Sequence, residues 1–394
     1  MLNENGKCRL LMGVYYMVIC IVFCYAAYYL GEEGFSSWQT GLIVSVSCIA
    51  GALLQPASGR LADSDPKWFW KNQLLLLTAL ALAISVLRIF VSGLIWEGAA
   101  YGLLIVLVLV MMPLVNSACF YYADRGISVD FGTARGIGSF AYAAASFALG
   151  RLTAVTGPQV LTLCCAVLFA LVLAAVAIMP RSAALPDAPG KKEDQGTKNF
   201  ISAYPAVILM AAGITLALVF HNMVATYMIN IMEEAGGGSD SMGTAIAIGG
   251  AMELPALFLY TRIKEKSGLS AAVLISVGCL FFVIRGVLFV FASGVMMIYF
   301  IQLLQGPSYG LVTAAKAAYA YETVAARDET TGQAVMSMTD SFGIVGGSLL
   351  GGILLSGGGA DLMLLTGTAL AAAGTITAFI AAGAGRKGDD KNGK

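Results

Sequence analysis

Seven ionisable side chains fall deep within apolar stretches: Arg88, Arg135, His221, Glu253, Arg285, Lys316 and Asp340. A charge held in hydrocarbon costs about 3 kcal/mol even on the mildest insertion scale, so such residues face a polar cavity or a partner. Two kinds of chemistry are open to them. Carboxylates and imidazole take up and release protons; guanidinium groups hydrogen-bond a polar solute. Glu253 lies in GGAMELP, where Pro255 frees a backbone carbonyl one turn earlier, as in a cavity-lining helix break. Arg285 on the following stretch is the expected ion-pair partner, because pairing lowers the cost of both charges. Protonating Glu253 would then release the pair and switch the molecule between states; the other reading is a purely structural ion pair. Asp340, in SMTDSFG, has no cation beside it in sequence. It is either a second proton carrier or a carboxylate facing a watery vestibule. His221 is the only histidine and reads as a hydrogen-bonded helix partner rather than a proton relay. Lys316 needs no more than snorkelling to the interface. Arg88 faces the outer opening or has a structural role. Asp124 and Arg125 read as gate or interface charges.

The elements that position these residues are legible from hydropathy and charge. The chain of 394 residues is 58% hydrophobic and 12% charged, too apolar for a soluble domain to cover itself with polar groups. Twelve spans are expected, at 10–31, 38–61, 72–94, 98–122, 133–155, 158–180, 204–231, 241–262, 269–292, 295–320, 332–356 and 361–384. Each is about the 20 residues that a bilayer crossing needs. Cations fall in alternate loops: Lys7 and Arg9; Arg60, Lys67 and Lys71; Arg125; the Arg181–Lys198 stretch; Arg262, Lys264 and Lys266; Arg327; and Arg386 onward. The intervening loops carry Glu32, Glu33, Glu97, Glu233, Glu234, Asp240 and Asp361. Basic loops stay cytoplasmic, so both termini are expected there, in a cell membrane, with no cleaved leader. Pro186, Pro189, Gly190 and KKEDQ mark a linker. It divides the chain into a six-helix bundle over 1–180, a cytoplasmic segment over 181–203, and a second bundle over 204–394 with a short basic tail. The halves echo each other: Gly41 and Arg60 are spaced as Gly243 and Arg262, and VLR at Arg88 resembles VIR at Arg285. Parallel repeats around a midplane site are a transporter arrangement.

Enzyme chemistry finds no support. One histidine excludes a double-histidine zinc motif, and neither a G-x-S-x-G elbow nor a Walker A loop occurs. The eight cysteines lack metal spacing. Net charge is zero, which gives no pull toward nucleic acid. No cofactor and no metal are expected. The partners are a small solute, a proton and the bilayer, with the chain acting as a monomer.

The second stretch reads TGLIVSVSCIAGALLQPASGRLAD. Its Thr40, Gly41, Gln55, Pro56, Gly59 and Asp63 resemble the signature of the lactose permease branch of the major facilitator superfamily. FGTARGIGSFAYA is similar to that branch's F-G-x-A-R segment. Glu253-Leu-Pro255 and Thr331-Gly-Gln333-Ala334 also resemble looser lactose-permease-like facilitators. The resemblance implies an all-α membrane protein of twelve transmembrane helices in two pseudo-symmetric six-helix bundles. It places Arg135 at a sugar-binding arginine and Tyr142 where an aromatic ring stacks on sugar. It places Glu253 and Arg285 at charged positions used in binding and proton coupling, and Asp63 in the signature loop. The chain departs from the family at Asn116, where a sugar-binding carboxylate is expected, and at Gln302 and Gln305, where a His and a Glu are expected. Amides do not titrate, so Glu253 and then Asp340 become the coupling candidates. Asn116, Arg135, Tyr142, Gln302 and Gln305 suit a neutral, hydroxyl-rich solute. The expectation is proton-coupled symport of a sugar or nucleoside by alternating access. An efflux antiporter for amphipathic compounds is the alternative, and a non-transporting receptor the third.

Overall fold

The computed structural model describes residues 3–64, 69–123, 131–179, 200–325 and 328–391. Within them every long element is a helix, as expected where lipid offers the backbone no hydrogen bonds. The first half holds α1 (Glu4–Ile19, continuing through Cys20–Cys24 and Ala26–Glu32), α2 (Ser37–Ser64), α3 (Trp70–Phe90), α4 (Leu94–Ala123), α5 (Phe131–Thr156) and α6 (Val160–Ala177). The second half holds α7 (Pro205–Thr226, continuing as Met228–Glu234), α8 (Ser239–Ser267), α9 (Ala271–Val290) and α10 (Val295–Gln302 through Leu311–Thr323). A last helical run, Glu329–Lys391, breaks at Gly358 and Gly359, where φ reaches +73° at Gly359. It is therefore two crossings, α11 (329–357) and α12 (360–391). Ten candidate spans qualify by length and hydropathy among the described residues, one of them this double run. With α5, which is rich in Gly, Ala and Ser, they make twelve. The chain is an all-α membrane protein of two six-helix bundles.

Local sequence explains the ends. Asn3 caps α1 through its side chain, and Ser270 caps α9 in the same way. Pro205 starts α7, where its missing N–H is not needed. Gly268, at φ +63°, closes α8. The expected linker 181–203 lies outside the described residues as far as 199, and Phe200–Ala203 form a short helix.

Two helices are irregular within their spans. α1 widens to a π turn at Cys20–Cys24, and α10 passes through a 3-10 turn (Leu303–Gln305) and a π turn (Gly306–Gly310). Such irregular turns recur at functional sites. The halves meet where α5 crosses α8 and α2 crosses α11. Close approaches at these crossings cluster toward the end that carries the acidic loops: a methyl group on Gly150 would lie 2.9 Å from the Gly243 Cα, and one on Gly41 would strike the Ser348 carbonyl.

Candidate functional site

The break in α10 faces α8 at Glu253. Gly306 packs so closely that a methyl group there would lie 2.6 Å from the Met252 carbonyl, and one on Gly310 would lie 3.3 Å from the Glu253 Cα. The irregular turn carries Gln302, Gln305 and Ser308 to the same face. Gln305 donates from Nε2 to Glu253 Oε1 at 3.0 Å. Gln302 accepts from Arg285 Nη2 at 2.7 Å and donates to the Ala245 carbonyl at 3.1 Å. Arg285 Nη1 donates to Ser308 Oγ at 3.2 Å. Arg285 is 1% exposed and Gln302 3%, so each bond is made in a dry setting where a missing partner is costly.

The first half supplies the facing wall. The Arg135 guanidinium lies over the Tyr16 ring at 4.2 Å, a cation–π stack. Tyr142 makes a 2.6 Å hydrogen bond with Cys24 Sγ, at the end of the α1 π turn. On α8, Gly249 makes room for Gln302 and Gln305, and Gly250 for the Tyr142 ring. Arg135 and Arg285, one from each half, both act electrostatically on Glu253.

Several expectations need correction. Glu253 and Arg285 form no direct ion pair: an amide stands against each, Gln305 on the carboxylate and Gln302 on the guanidinium. Asp340 does have a cation, since Lys316 Nζ donates to both of its oxygens at 2.6 Å. Lys316 is 6% exposed, so it does not snorkel; the carboxylate on the next helix holds it inside. His221 makes no hydrogen bond among the described residues. Its ring stacks on Tyr309, with centroids 4.4 Å apart and planes at 17°, beside Phe282. Arg88 is turned inward to Glu97 at 2.9 Å, between the rings of Tyr29 and Tyr101. Asn116 is half-buried on α4 and hydrogen-bonds to none of the described residues. Asp124 lies outside the described residues, as does the side chain of Asp63. Tyr16, Ser308 and Tyr309 belong to the cluster and were not anticipated; the only hint in sequence was the Gly306-Pro307 pair that breaks α10.

Three polar atoms on residues that bond to Glu253 or act on it, Arg135 Nη1, Arg285 Nε and Gln305 Oε1, are buried without a hydrogen-bond partner among the described residues, as is His221 Nδ1 beside Tyr309. Such atoms are rare in folded proteins and call for a ligand or water. No group of three metal-ligating side chains occurs among the described residues. At the acidic end, burial and the nearby charge of Glu32 raise the pKa of the Glu233 carboxyl.

A model of the MFS_1 like family matches residues 9–364. No curated protein sequence matches the chain. Among solved structures, the nucleoside transporter NupG superposes in a variant form with a TM-score of 0.81 at 12% identity, covering 97% of this chain and 99% of that one. The POT family transporter PepTSo gives 0.77 at 12% identity over 98% and 99%. A bacterial homologue of the human lysosomal transporter Spinster gives 0.69 at 15% over 96% and 95%. At these identities the likeness is one of fold.

Proposed function

The chain belongs to the MFS_1 like family and is a membrane transporter rather than an enzyme, and we propose that it carries out proton-coupled symport of a small uncharged, hydroxyl-bearing solute, a nucleoside or a sugar. The observation that carries this reading is the set of unsatisfied buried atoms around Glu253. The first half contributes a donor (Arg135 Nη1), and the second half an acceptor and a donor (Gln305 Oε1, Arg285 Nε). A neutral solute with several hydroxyl or ring N–H groups would satisfy both walls at once, which a purely apolar compound would not. The stacked His221–Tyr309 pair and the Tyr16 and Tyr142 rings offer flat faces to a sugar or base. Nucleoside transport by NupG, a structural neighbour, is consistent with this class.

Glu253 is the coupling residue in this reading. It is a carboxylate on which arginines of both halves act electrostatically. Asp340 is the second candidate after Glu253, because Lys316 Nζ already donates to both of its oxygens. The resemblance to the lactose permease branch supports the roles of Arg135 and Tyr142. Asn116, half-buried on α4, would complete the wall of the first half. By the charge pattern, the basic end is cytoplasmic and the acidic end outer. The close crossings at the acidic end then make this an inward-facing state, with 1–180 and 204–394 as the rocking bodies and the cell membrane as its location.

The test is counterflow in proteoliposomes with a panel of nucleosides, sugars and lipophilic cations, together with a pH-sensitive dye. Solute uptake with proton entry supports the proposal. Movement of lipophilic cations alone would replace it with efflux, and no movement at all with a receptor.

A further inference from the structure

At the outer end, the crossings between the halves share one pattern of residues, although the Tyr227 bond to the Ser37 carbonyl and the Ser146 Oγ bond to the Gly243 carbonyl occur in one copy each. Tyr25 donates to the Ser146 carbonyl at 2.6 Å, and Tyr227 donates to the Ser348 carbonyl at 2.7 Å; both bonds span 121 residues. Each bond lies within one half, tying α1 to α5 or α7 to α11. Each then receives a glycine from the opposite half. A methyl group on Gly243 of α8 would lie 2.5 Å from the Ser146 carbonyl and 2.9 Å from the Tyr25 hydroxyl. One on Gly41 of α2 would strike the Ser348 carbonyl and lie 2.7 Å from the Tyr227 hydroxyl. A second glycine completes each crossing: Gly150 against the Ser239 carbonyl at 2.6 Å, and Gly352 against the Ser37 carbonyl. One constant sequence offset relates Tyr25 to Tyr227, Ser146 to Ser348, Gly150 to Gly352, Ser37 to Ser239 and Gly41 to Gly243.

We infer that the outer gate is a single latch used twice, in which a tyrosine-bonded serine carbonyl forms the seat on which a glycine of the other half closes. Each tyrosine hydroxyl ties the seat within its own half, so the seat survives opening; the Tyr227 hydroxyl also lies 3.1 Å from the Ser37 carbonyl across the crossing, and that contact is lost on opening. The glycine must lack a side chain because it meets backbone, which cannot move aside as the end of a flexible side chain can. Both seats close against rigid bundles, so neither glycine can seat while the other is wedged apart. The inference rests on the alternating-access part of the proposed function and on the acidic end being outer. It is independent of the solute and of the coupled ion.

The test is a spin-label distance across the outer mouth, between labels at Glu33 and Ala235, in the full-length reconstituted protein without substrate. Seven native cysteines are buried and the half-buried Cys164 is replaced by alanine. Gly41→Ala and Gly243→Ala are each expected to shift the majority population to a longer distance, by matching amounts. Gly31→Ala, where no atom lies within 4 Å of the added methyl, leaves the distribution unchanged. Should the glycine variants not fold, Tyr25→Phe and Tyr227→Phe keep the rings and remove the seat bond, Tyr227→Phe also removing the bond to the Ser37 carbonyl across the crossing; smaller shifts in the same direction are then expected from both, the larger from Tyr227→Phe. A response from one copy only, or from neither, overturns the inference. Since no substrate is added, a wrong solute or ion in the proposed function would leave these distances unaffected.

Discussion

Replacing Glu253 by glutamine separates charge from shape at the coupling position. Glu253 Oε1 accepts from Gln305 Nε2 at 3.0 Å, and a glutamine carbonyl accepts from the same donor in the same geometry. The local bond persists, but changes from charge-assisted to neutral, a loss of about 1 kcal/mol. That weakens solute binding by no more than about fivefold. The charge seen by Arg135 and Arg285 disappears entirely, and with it the difference between protonated and deprotonated states. An equilibrium between two orientations shifts only by the differential free energy of what binds, so the variant has nothing left to couple. A one-unit pH gradient is worth about 1.4 kcal/mol per proton, or about tenfold accumulation for one-proton symport. In proteoliposomes with such a gradient, accumulation is expected to fall from about tenfold to none, while solute exchange at equal pH continues. Retained accumulation would remove Glu253 from coupling. Loss of exchange as well would make it a binding residue instead.

Other perturbations reach the rest of the site. Arg135→Lys gives up the planar stack on Tyr16 and the bidentate fork, so the KM for exchange should rise by about tenfold, as measured by initial rates; an unchanged KM refutes a role at the solute. Lys316→Met leaves Asp340 unpaired; with the lysine side chain 7% exposed and the aspartate 41%, solvent screening reduces the cost to about 1–3 kcal/mol. Thermal unfolding in detergent should show that loss, and Lys316→Met with Asp340→Asn should recover part of it; no recovery would show that the two do not act as a pair. The pKa of Glu233 is raised in the folded protein above its ordinary value of 4.5, so its contribution is present below that value and is lost as pH rises through the folded-state value. Glu233→Gln should therefore unfold at a higher temperature than the parent above that range and at a similar one below it; a gap that does not change with pH would be against it.

Much of the fold was legible because lipid writes it plainly. Long apolar stretches and alternating basic loops locate the crossings, and α5, whose Gly-, Ala- and Ser-rich sequence lies outside the ten qualifying spans, is recovered by its place in that alternation. Breaks in helices were less legible. Pro307 announces the one in α10, whereas CIVFC in α1 contains neither Pro nor Gly; its π turn is matched only by the bond from Cys24 to Tyr142, 118 residues away. At the site, the sequence located Glu253, Arg285, Gln302 and Gln305 but paired the charges with each other. The amides intervene because the irregular turn of α10 rotates them between α8 and α9, and no periodicity predicts that rotation. Lys316 and Asp340 escaped as a pair because they sit on different helices, 24 residues apart.

The two repeat-related arginines explain why the halves differ in chemistry although they share a gate. Arg88 lies two residues from the end of α3 and reaches the carboxylate of Glu97; its charge is compensated within its own half. Arg285 lies five residues from the end of α9, about one turn deeper. There, among the described residues, its hydrogen bonds go only to the uncharged Gln302 and Ser308. A buried cation without a local anion acts on a carboxylate of a neighbouring helix, and Glu253 is one that Arg285 interacts with electrostatically. An acid at position 302 would neutralise Arg285 locally and release Glu253 from its influence. Gln302→Glu therefore tests the asymmetry directly: the pH dependence of transport should change, because the charge that Glu253 answers to is taken up elsewhere. An unaltered pH profile would mean that Arg285 has no part in coupling.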